Sequence, residues 1–324
     1  MKLNKTLINK ILKQDGMYVR GDSFAYEFIC DTFTLTLNRS HVDSLTSAVH
    51  AIAVDEAVAI VNVEGRSVSK PLGLERYLRF ASKDRARPIL GSINFTDSKI
   101  QATDSYRLIE GVNYSEIIGL YDAFALELLG LIDTPNGYQD EQGKLFFGGL
   151  LPQDRTLKIK PVNGEFPNVA KLFVEGDSET LVIGRVPRSI VNRNSHLGSE
   201  ILATFHDNKI LVTSNHADPG VRELVASIPC TVVVGCNNDG IDDGWRDNVT
   251  FNFKYLKDLF TSLGTDTFEV TYVDPLKPLQ FANSDGMKAL LMPIRSDFSI
   301  VDVDGSEIIR AGSANKVIRE NVYA

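Results

Sequence analysis

Two stretches of this chain are copies of one another. Phe95-Thr96-Asp97-Ser98-Lys99-Ile100-Gln101-Ala102-Thr103-Asp104-Ser105 and Phe205-His206-Asp207-Asn208-Lys209-Ile210-Leu211-Val212-Thr213-Ser214-Asn215 lie 110 positions apart. Each reads as strand, polar turn, strand, with Asp-Ser and Asp-Asn supplying the turn chemistry. A repeat of this period points to a chain assembled from similar domains, and it constrains the fold more than any single motif does.

Helical patterns flank both copies. Leu74, Tyr77, Leu78 and Ala81 form an i, i+3, i+4, i+7 stripe that predicts a helix over 74–82, with Arg76, Arg79 and Lys83 on its other face. Its counterpart begins at Val186-Pro187, where proline suits a first helical turn, with Ile190 and Val191 inward and Arg188 and Arg193 outward. After the second copy, Leu256, Leu259, Phe260 and Leu263 repeat the stripe with Lys254 and Lys257 outside it, and Phe124, Leu128 and Leu131 mark the equivalent helix after the first. The polar face of the Phe124 helix carries Asp122 and Glu127 instead of cations. Strand-like runs follow at Leu157–Val162 and Thr267–Val273. The unit is thus an α+β domain of two helices on antiparallel sheet, with copies at 67–177 and 178–298. Residues 1–66 read as a reduced copy. A basic amphipathic helix (Lys2, Lys5, Lys10 and Lys13 against Leu3, Leu7, Ile8 and Ile11) precedes strands at Ser23–Cys30 and Phe33–Leu37. A helix through Val42, Leu45 and Val49 and a strand near Ala57–Val63 complete it. Residues 299–324 are an extension in which Ile300-Val301-Asp302-Val303-Asp304-Gly305 reads as a strand into a turn, a hairpin or a flexible tail.

The net charge of −8 excludes a uniformly basic nucleic-acid binder, though not a basic strip on an otherwise acidic protein. No apolar run reaches the ~20 residues a membrane helix needs, and the charged start Met1-Lys2-Leu3-Asn4-Lys5 is not followed by a signal-type apolar stretch. Three scattered cysteines, Cys30, Cys230 and Cys236, fit a reducing cytoplasm rather than a disulfide framework. Walker, dinucleotide, zincin and nucleophile-elbow motifs are absent, so no enzyme activity and no cofactor is expected. His41, His50, His196, His206 and His216 lack metal-ligand spacing, and the acidic run Asn237–Gly244 lacks the positions of a calcium loop, which leaves an inter-strand loop.

Four signatures resemble one family in order and spacing. Ala102-Thr103-Asp104-Ser105-Tyr106-Arg107-Leu108 resembles an Ala-Thr-Asp-Gly-His-Arg-Leu segment of the bacterial DNA polymerase III beta subunit, the DNA sliding clamp. Gly164-Glu165-Phe166-Pro167-Asn168 resembles its Gly-x-Phe-Pro-Asp segment, Phe251-Asn252-Phe253-Lys254-Tyr255-Leu256 the start of its last helix, and Leu291-Met292-Pro293-Ile294-Arg295 its closing Met-Pro-x-Arg run. The resemblance covers 67–297 well and 1–66 poorly. It implies repeated clamp domains with antiparallel sheets outside and helices lining a ring around double-stranded DNA, held without regard to sequence. The implied homo-oligomer is a dimer if each chain supplies three domains, or a trimer if it supplies two. A ring holds DNA topologically, so a few phosphate-facing cations suffice and sliding is allowed. The DNA-lining candidates are Arg76, Arg79, Lys83, Arg188, Arg193, Lys254 and Lys257; each equally fits an ordinary solvated helix face.

The resemblance also implies one hydrophobic pocket that recruits DNA polymerase, clamp loader and repair proteins through short extended peptides with Leu and Phe anchors. The matching positions are Leu90, Thr103, Ser105, Tyr106, Arg107, Leu108, Pro167, Lys171, Leu172, Asn252, Tyr255, Leu276, Met292, Pro293, Ile294 and Arg295. Leu90, Leu108, Leu172, Leu276, Met292 and Ile294 would supply an apolar floor, while Arg107 and Arg295 would hold backbone carbonyls or acidic peptide groups. Core packing is the competing reading for Leu90 and Leu172. Ser105 stands where the family has glycine and Tyr106 where it has histidine, which predicts a narrower pocket. Family chains end just after the Met-Pro-x-Arg run; the tail here and the shortened first domain suggest a divergent clamp of phage origin. A clamp-shaped adaptor in transcription or repair that does not encircle DNA is the alternative function.

Overall fold

A computed structural model of the chain describes residues 3–21, 25–46, 52–53, 65–149, 155–173, 179–184, 201–206, 209–215, 217–218, 220–229, 231–235, 249–265, 268–272, 277–294, 298–302 and 307–311. It divides into two compact units. The first takes Met1–Ser105 and Gly111–Pro167, and the second takes Tyr106–Glu110 and Asn168–Ala324.

The first unit opens with α1 (Lys5–Leu12), β1 (Tyr18–Gly21), β2 (Ala25–Ile29), β3 (Phe33–Asn38), α2 (Arg39–Leu45) and β4 (Ile52–Ala53). It continues with β5 (Arg66–Ser69), α3 (Leu74–Leu78), β6 (Ser92–Phe95) and β7 (Lys99–Thr103). After β8 (Arg107–Val112) come β9 (Gly119–Asp122), α4 (Ala123–Glu127), β10 (Asn136–Gln139), β11 (Leu145–Gly148) and β12 (Thr156–Ile159). Eight strands form one sheet in the order β4-β1-β2-β3-β12-β11-β10-β5. The segment read from the sequence as a reduced first copy meets the segment read as the central copy in the antiparallel pair β3·β12, with Phe33 opposite Ile159 and Leu35 opposite Leu157, all fully buried. Strands β1–β4 therefore share one sheet with β5 and β10–β12. α1 forms as its pattern requires: Asn4 accepts from the Leu7 N–H at 2.9 Å to cap it, and Leu7, Ile8 and Ile11 are buried. Phe33 meets Phe124 edge to face at 5.9 Å, which fastens α4 over that sheet.

The expected helix over 74–82 stops at Leu78. Beyond it the Phe80 N–H turns to Tyr77 O, three residues back, and the Ser82 N–H is drawn to Leu90 O at 2.7 Å. Phe80, fully buried, replaces Leu74 as a core residue of this segment. The Phe124 helix is likewise split, since α4 gives way to a 3-10 turn over Leu128–Leu131. The strand expected near Ala57–Val63 and the helix expected from Val186 lie outside the described residues.

The second unit holds Tyr106–Glu110 of the β8 segment, then β13 (Glu179–Gly184), β14 (Leu202–His206), β15 (Lys209–Asn215), β16 (Val221–Pro229), β17 (Thr231–Gly235) and β18 (Val249–Asn252). It ends with α5 (Phe253–Leu263), β19 (Phe268–Tyr272), β20 (Leu279–Ala282), β21 (Lys288–Leu291), β22 (Phe298–Val301) and β23 (Glu307–Ala311). One strand run is β17-β13-β19-β20-β21-β8 and the other sheet is β18-β14-β15-β16-β22-β23. The 110-residue repeat is structural: Phe95 pairs with Ile100 in β6·β7, as Phe205 pairs with Ile210 in β14·β15. α5 buries Leu256, Leu259, Phe260 and Leu263, the stripe read from the sequence, and Gly264 at φ 71° ends it in the left-handed conformation favoured at helix C-termini.

Candidate partner-peptide site and basic faces

The second unit brings eight of the sequence-selected positions together: Tyr106, Arg107, Leu108, Asn252, Tyr255, Met292, Pro293 and Ile294. Asn252 closes β18 and caps α5, its side-chain oxygen accepting from the Lys254 N–H at 3.0 Å and the Tyr255 N–H at 3.3 Å. That cap sets Tyr255 on the first helical turn. In β8·β21, Arg107 lies opposite Leu291 and Leu108 opposite Leu290. After β21 the Met292 N–H donates to Tyr106 O at 2.9 Å, and the Ile294 N–H donates to Thr250 O at 2.8 Å. Pro293 sits between these two bonds, at a position where no N–H is called for, so the Met-Pro-Ile run passes from one sheet to the other without an orphaned donor.

Tyr106 stacks on Tyr255 with centroids 6.2 Å apart and planes 27° from parallel. The Arg107 guanidinium lies 4.3 Å from the Tyr255 ring centre and pairs with Asp258 at 2.7 Å. With its side chain 6% exposed, Arg107 is committed inside the unit and does not stand open to a peptide, as the sequence led us to expect. Leu108 is buried beneath the surface. Among the sequence-selected positions of this unit, the open apolar groups are Tyr106 at 58%, Leu172 at 51% and Met292 at 37% exposure. Lys171 and Leu172 lie in a 3-10 turn whose following residue, Phe173, has Lys288 of β21 5.8 Å over its ring. Asp258 was missed from the sequence. It sits three residues after Tyr255 on α5, and only the tertiary fold reveals Arg107 as its partner.

Of the remaining candidates of this set, Leu90, Thr103, Ser105 and Pro167 lie in the first unit. Leu90 is half-buried, with its carbonyl bonded to Ser82. Pro167 is exposed. Thr103 is buried and accepts from the Ser105 N–H at 3.2 Å. Leu276 and Arg295 lie outside the described residues. Ser105 adopts φ 80°, a left-handed conformation in which an L side chain costs about 1–2 kcal/mol. Ser105→Gly, the residue of the family segment, removes that strain at the expense of chain entropy of about 0.5–1 kcal/mol. The expected net gain, about 0.5 kcal/mol, is read as a small rise in melting temperature; a fall would mean that the serine side chain stabilises the turn.

Among the DNA-lining candidates, Arg79 is exposed at the C-cap of α3, Arg76 is half-buried and Lys83 is exposed in the loop beyond the shortened helix. Lys254 is exposed and Lys257 half-buried on α5, while Arg188 and Arg193 lie outside the described residues. In the first unit, a cleft of about 520 Å³ takes Lys10, Lys83 and Arg85 along with Asp15, Asp31, Asp84, Asp122 and Glu127. Lys10 pairs with Glu127 at 2.7 Å and Arg85 with Asp15 at 2.9 Å. Carboxylates thus offset part of the positive charge expected there.

Asp122 caps α4, accepting from the Ala125 N–H at 2.8 Å. Burial raises its carboxyl pKa above the ordinary 3.8, against the opposing pull of the Ala125 and Phe124 N–H groups and Lys10. A raised folded pKa means the native state holds the proton longer. Its contribution to stability is therefore full below 3.8 and is lost as pH rises through the raised value. Asp122→Asn keeps the cap and removes the charge. Urea melts across this window are expected to lose that downward slope in the variant; an unchanged slope assigns it to other groups.

Three metal-ligating side chains do not cluster anywhere among the described residues, and no described helix is long and apolar enough to cross a membrane. No protein-family profile matches the chain, and no curated protein matches its sequence. Solved structures do match. The fold is that of bacterial DNA sliding clamps, α+β domains built on antiparallel sheets. The DNA polymerase III beta subunit of Thermotoga maritima is 17% identical with a TM-score of 0.59, over 88% of this chain and 93% of that one. The Bacillus subtilis sliding clamp is 17% identical with a TM-score of 0.58, over 89% and 92%. The Helicobacter pylori beta clamp bound to a DNA ligase peptide is 15% identical with a TM-score of 0.56, over 89% and 98%.

Proposed function

We propose that this protein is a DNA sliding clamp, a non-catalytic processivity factor that encircles duplex DNA as a homo-oligomeric ring and tethers a polymerase, its loader and other partners through short hydrophobic peptides. The observation that carries the peptide half is the Met292-Pro293-Ile294 crossing, which leaves Met292 and Tyr106 open beside Tyr255. An exposed aromatic and an adaptable thioether side by side suit a few buried anchors of an extended peptide. The Helicobacter pylori relative, with its ligase peptide, supports the same use of the fold. The DNA half rests on the cations of α3 and α5 in a chain of net charge −8. The test is topological: protein loaded on nicked circular DNA should stay bound until the circle is cut, then leave. Release that ignores cutting rejects encirclement.

A clamp-shaped adaptor that does not encircle DNA is the second reading. It is favoured by one specific observation: the outer edge of β16 is taken by the chain's own C-terminal hairpin.

A further inference from the structure

The copies join by one rule. In each, a hairpin is followed by a strand whose outer edge receives the last strand of the next copy. β3, after the β1–β2 hairpin, receives β12 antiparallel; β8, the strand after β7, receives β21 antiparallel, with Leu108 opposite Leu290 and Glu110 opposite Lys288. β16 follows the β14–β15 hairpin, which aligns with β6–β7 at an offset of 110. It is therefore the third such acceptor edge.

What fills it is β22, and in the other sense. β22 pairs with β16 in parallel over three positions, Val221 to Ser299, Arg222 to Ile300 and Glu223 to Val301, and the Ser299 N–H donates to Gly220 O at 2.9 Å. β23 then folds back on β22. The attachment has a core of its own: Ile300 is fully buried against Leu211, with Leu202, Leu224 and Ile308 packed around them. Past the cap, the register of β15·β16 shifts at Val212/Thr213, so that Val225 bulges out of the ladder at 41% exposure. Capping and bulging are both devices that keep an edge strand from pairing with another chain. The donor side is short as well. Only residues 39–65 separate β3 from β5, whereas a second helix and its strands take Ala123–Ile159 in the central copy.

We propose that the β22–β23 hairpin is an intramolecular cap that occupies the copy-to-copy junction on β16 and excludes a second copy of this chain from that edge. The cap rests on the repeat and the strand pairing alone and is independent of DNA binding. A ring made of this chain closes at another surface or only after the hairpin has left.

The experiment compares the full chain with a form lacking residues 297–324, by sedimentation equilibrium at matched concentrations without DNA. Deletion is expected to raise the weight-average mass at least twofold as a discrete oligomer, and Val225→Lys in the deleted form is expected to reverse the rise. Equal masses, with native circular dichroism in both, overturn the cap. If deletion unfolds or aggregates the protein, Ser299→Pro in the full chain decides, because it removes the bond to Gly220 and leaves the rest of the hairpin in place. Faster hydrogen exchange at Val221–Glu223 together with a higher mass supports the cap. Faster exchange without a change in mass overturns it, and unchanged exchange overturns the pairing on which it depends.

Discussion

Asp258→Ala should destabilise the second unit by about 3 kcal/mol, the low end of the range for stripping one partner from a buried ion pair. The low end applies because the Asp258 carboxylate keeps 19% exposure, whereas the Arg107 side chain keeps 6%. Removing the carboxylate takes away the counter-charge of a guanidinium that is enclosed between β8 and α5 and lies over the Tyr255 face. A cation over an aromatic ring contributes about 0.5–2 kcal/mol, too little to replace the lost pairing. The double change Arg107→Met with Asp258→Leu should recover most of the loss, since the cost comes from an uncompensated charge and not from missing volume. Urea unfolding followed by circular dichroism measures both variants. A cost below 1 kcal/mol for Asp258→Ala would show that water reaches Arg107.

That pair marks where sequence reasoning reached its limit. α5 was legible because its stripe is local: Leu256, Leu259, Phe260 and Leu263 carry period and burial together. The β6–β7 and β14–β15 hairpins were legible because turn residues and repeat agree. α3 was overextended because Ala81 fits the helical period, while the Ser82 bond to Leu90 that draws the chain away comes from a later turn. Sheet partners are non-local, so neither β3·β12 nor the parallel seat of β22 on β16 could be read from spacing. The run from Ile300 to Gly305 reads as a strand entering a turn, and β22 covers its first two residues, but nothing in it names the edge that strand would take. In the candidate peptide site, family-like motifs singled out the residues, and burial separates the open ones from the enclosed ones. Arg107, expected to face a ligand, is spent on Asp258, and Tyr106 in the histidine position gains a stacking partner in Tyr255.

Met292→Glu is expected to weaken binding of a fluorescent peptide with Leu and Phe anchors at least tenfold while leaving the melting temperature nearly unchanged. Both halves follow from exposure. At 37% the Met292 side chain already meets water, so a carboxylate there costs the free protein little. Its backbone N–H, bonded to Tyr106 O, is untouched by the change. A peptide anchor covering that position would have to strip water from the new charge, and Arg107, already paired with Asp258, is not placed to offset it. Tenfold is about 1.4 kcal/mol, modest for a hot-spot position, where losses of 2 kcal/mol or more are common. Leu172→Glu, at 51% exposure on the turn that precedes Phe173, is the companion change. Loss with Met292→Glu alone confines the anchor to the Tyr106–Tyr255 side, and loss with both extends it to the Leu172 turn. Full affinity in both variants removes the peptide site from this surface. Because both side chains are substantially exposed, an affinity loss with an unchanged melting temperature separates binding from stability, which is the distinction that Asp258→Ala, a residue of the same neighbourhood, is unable to make.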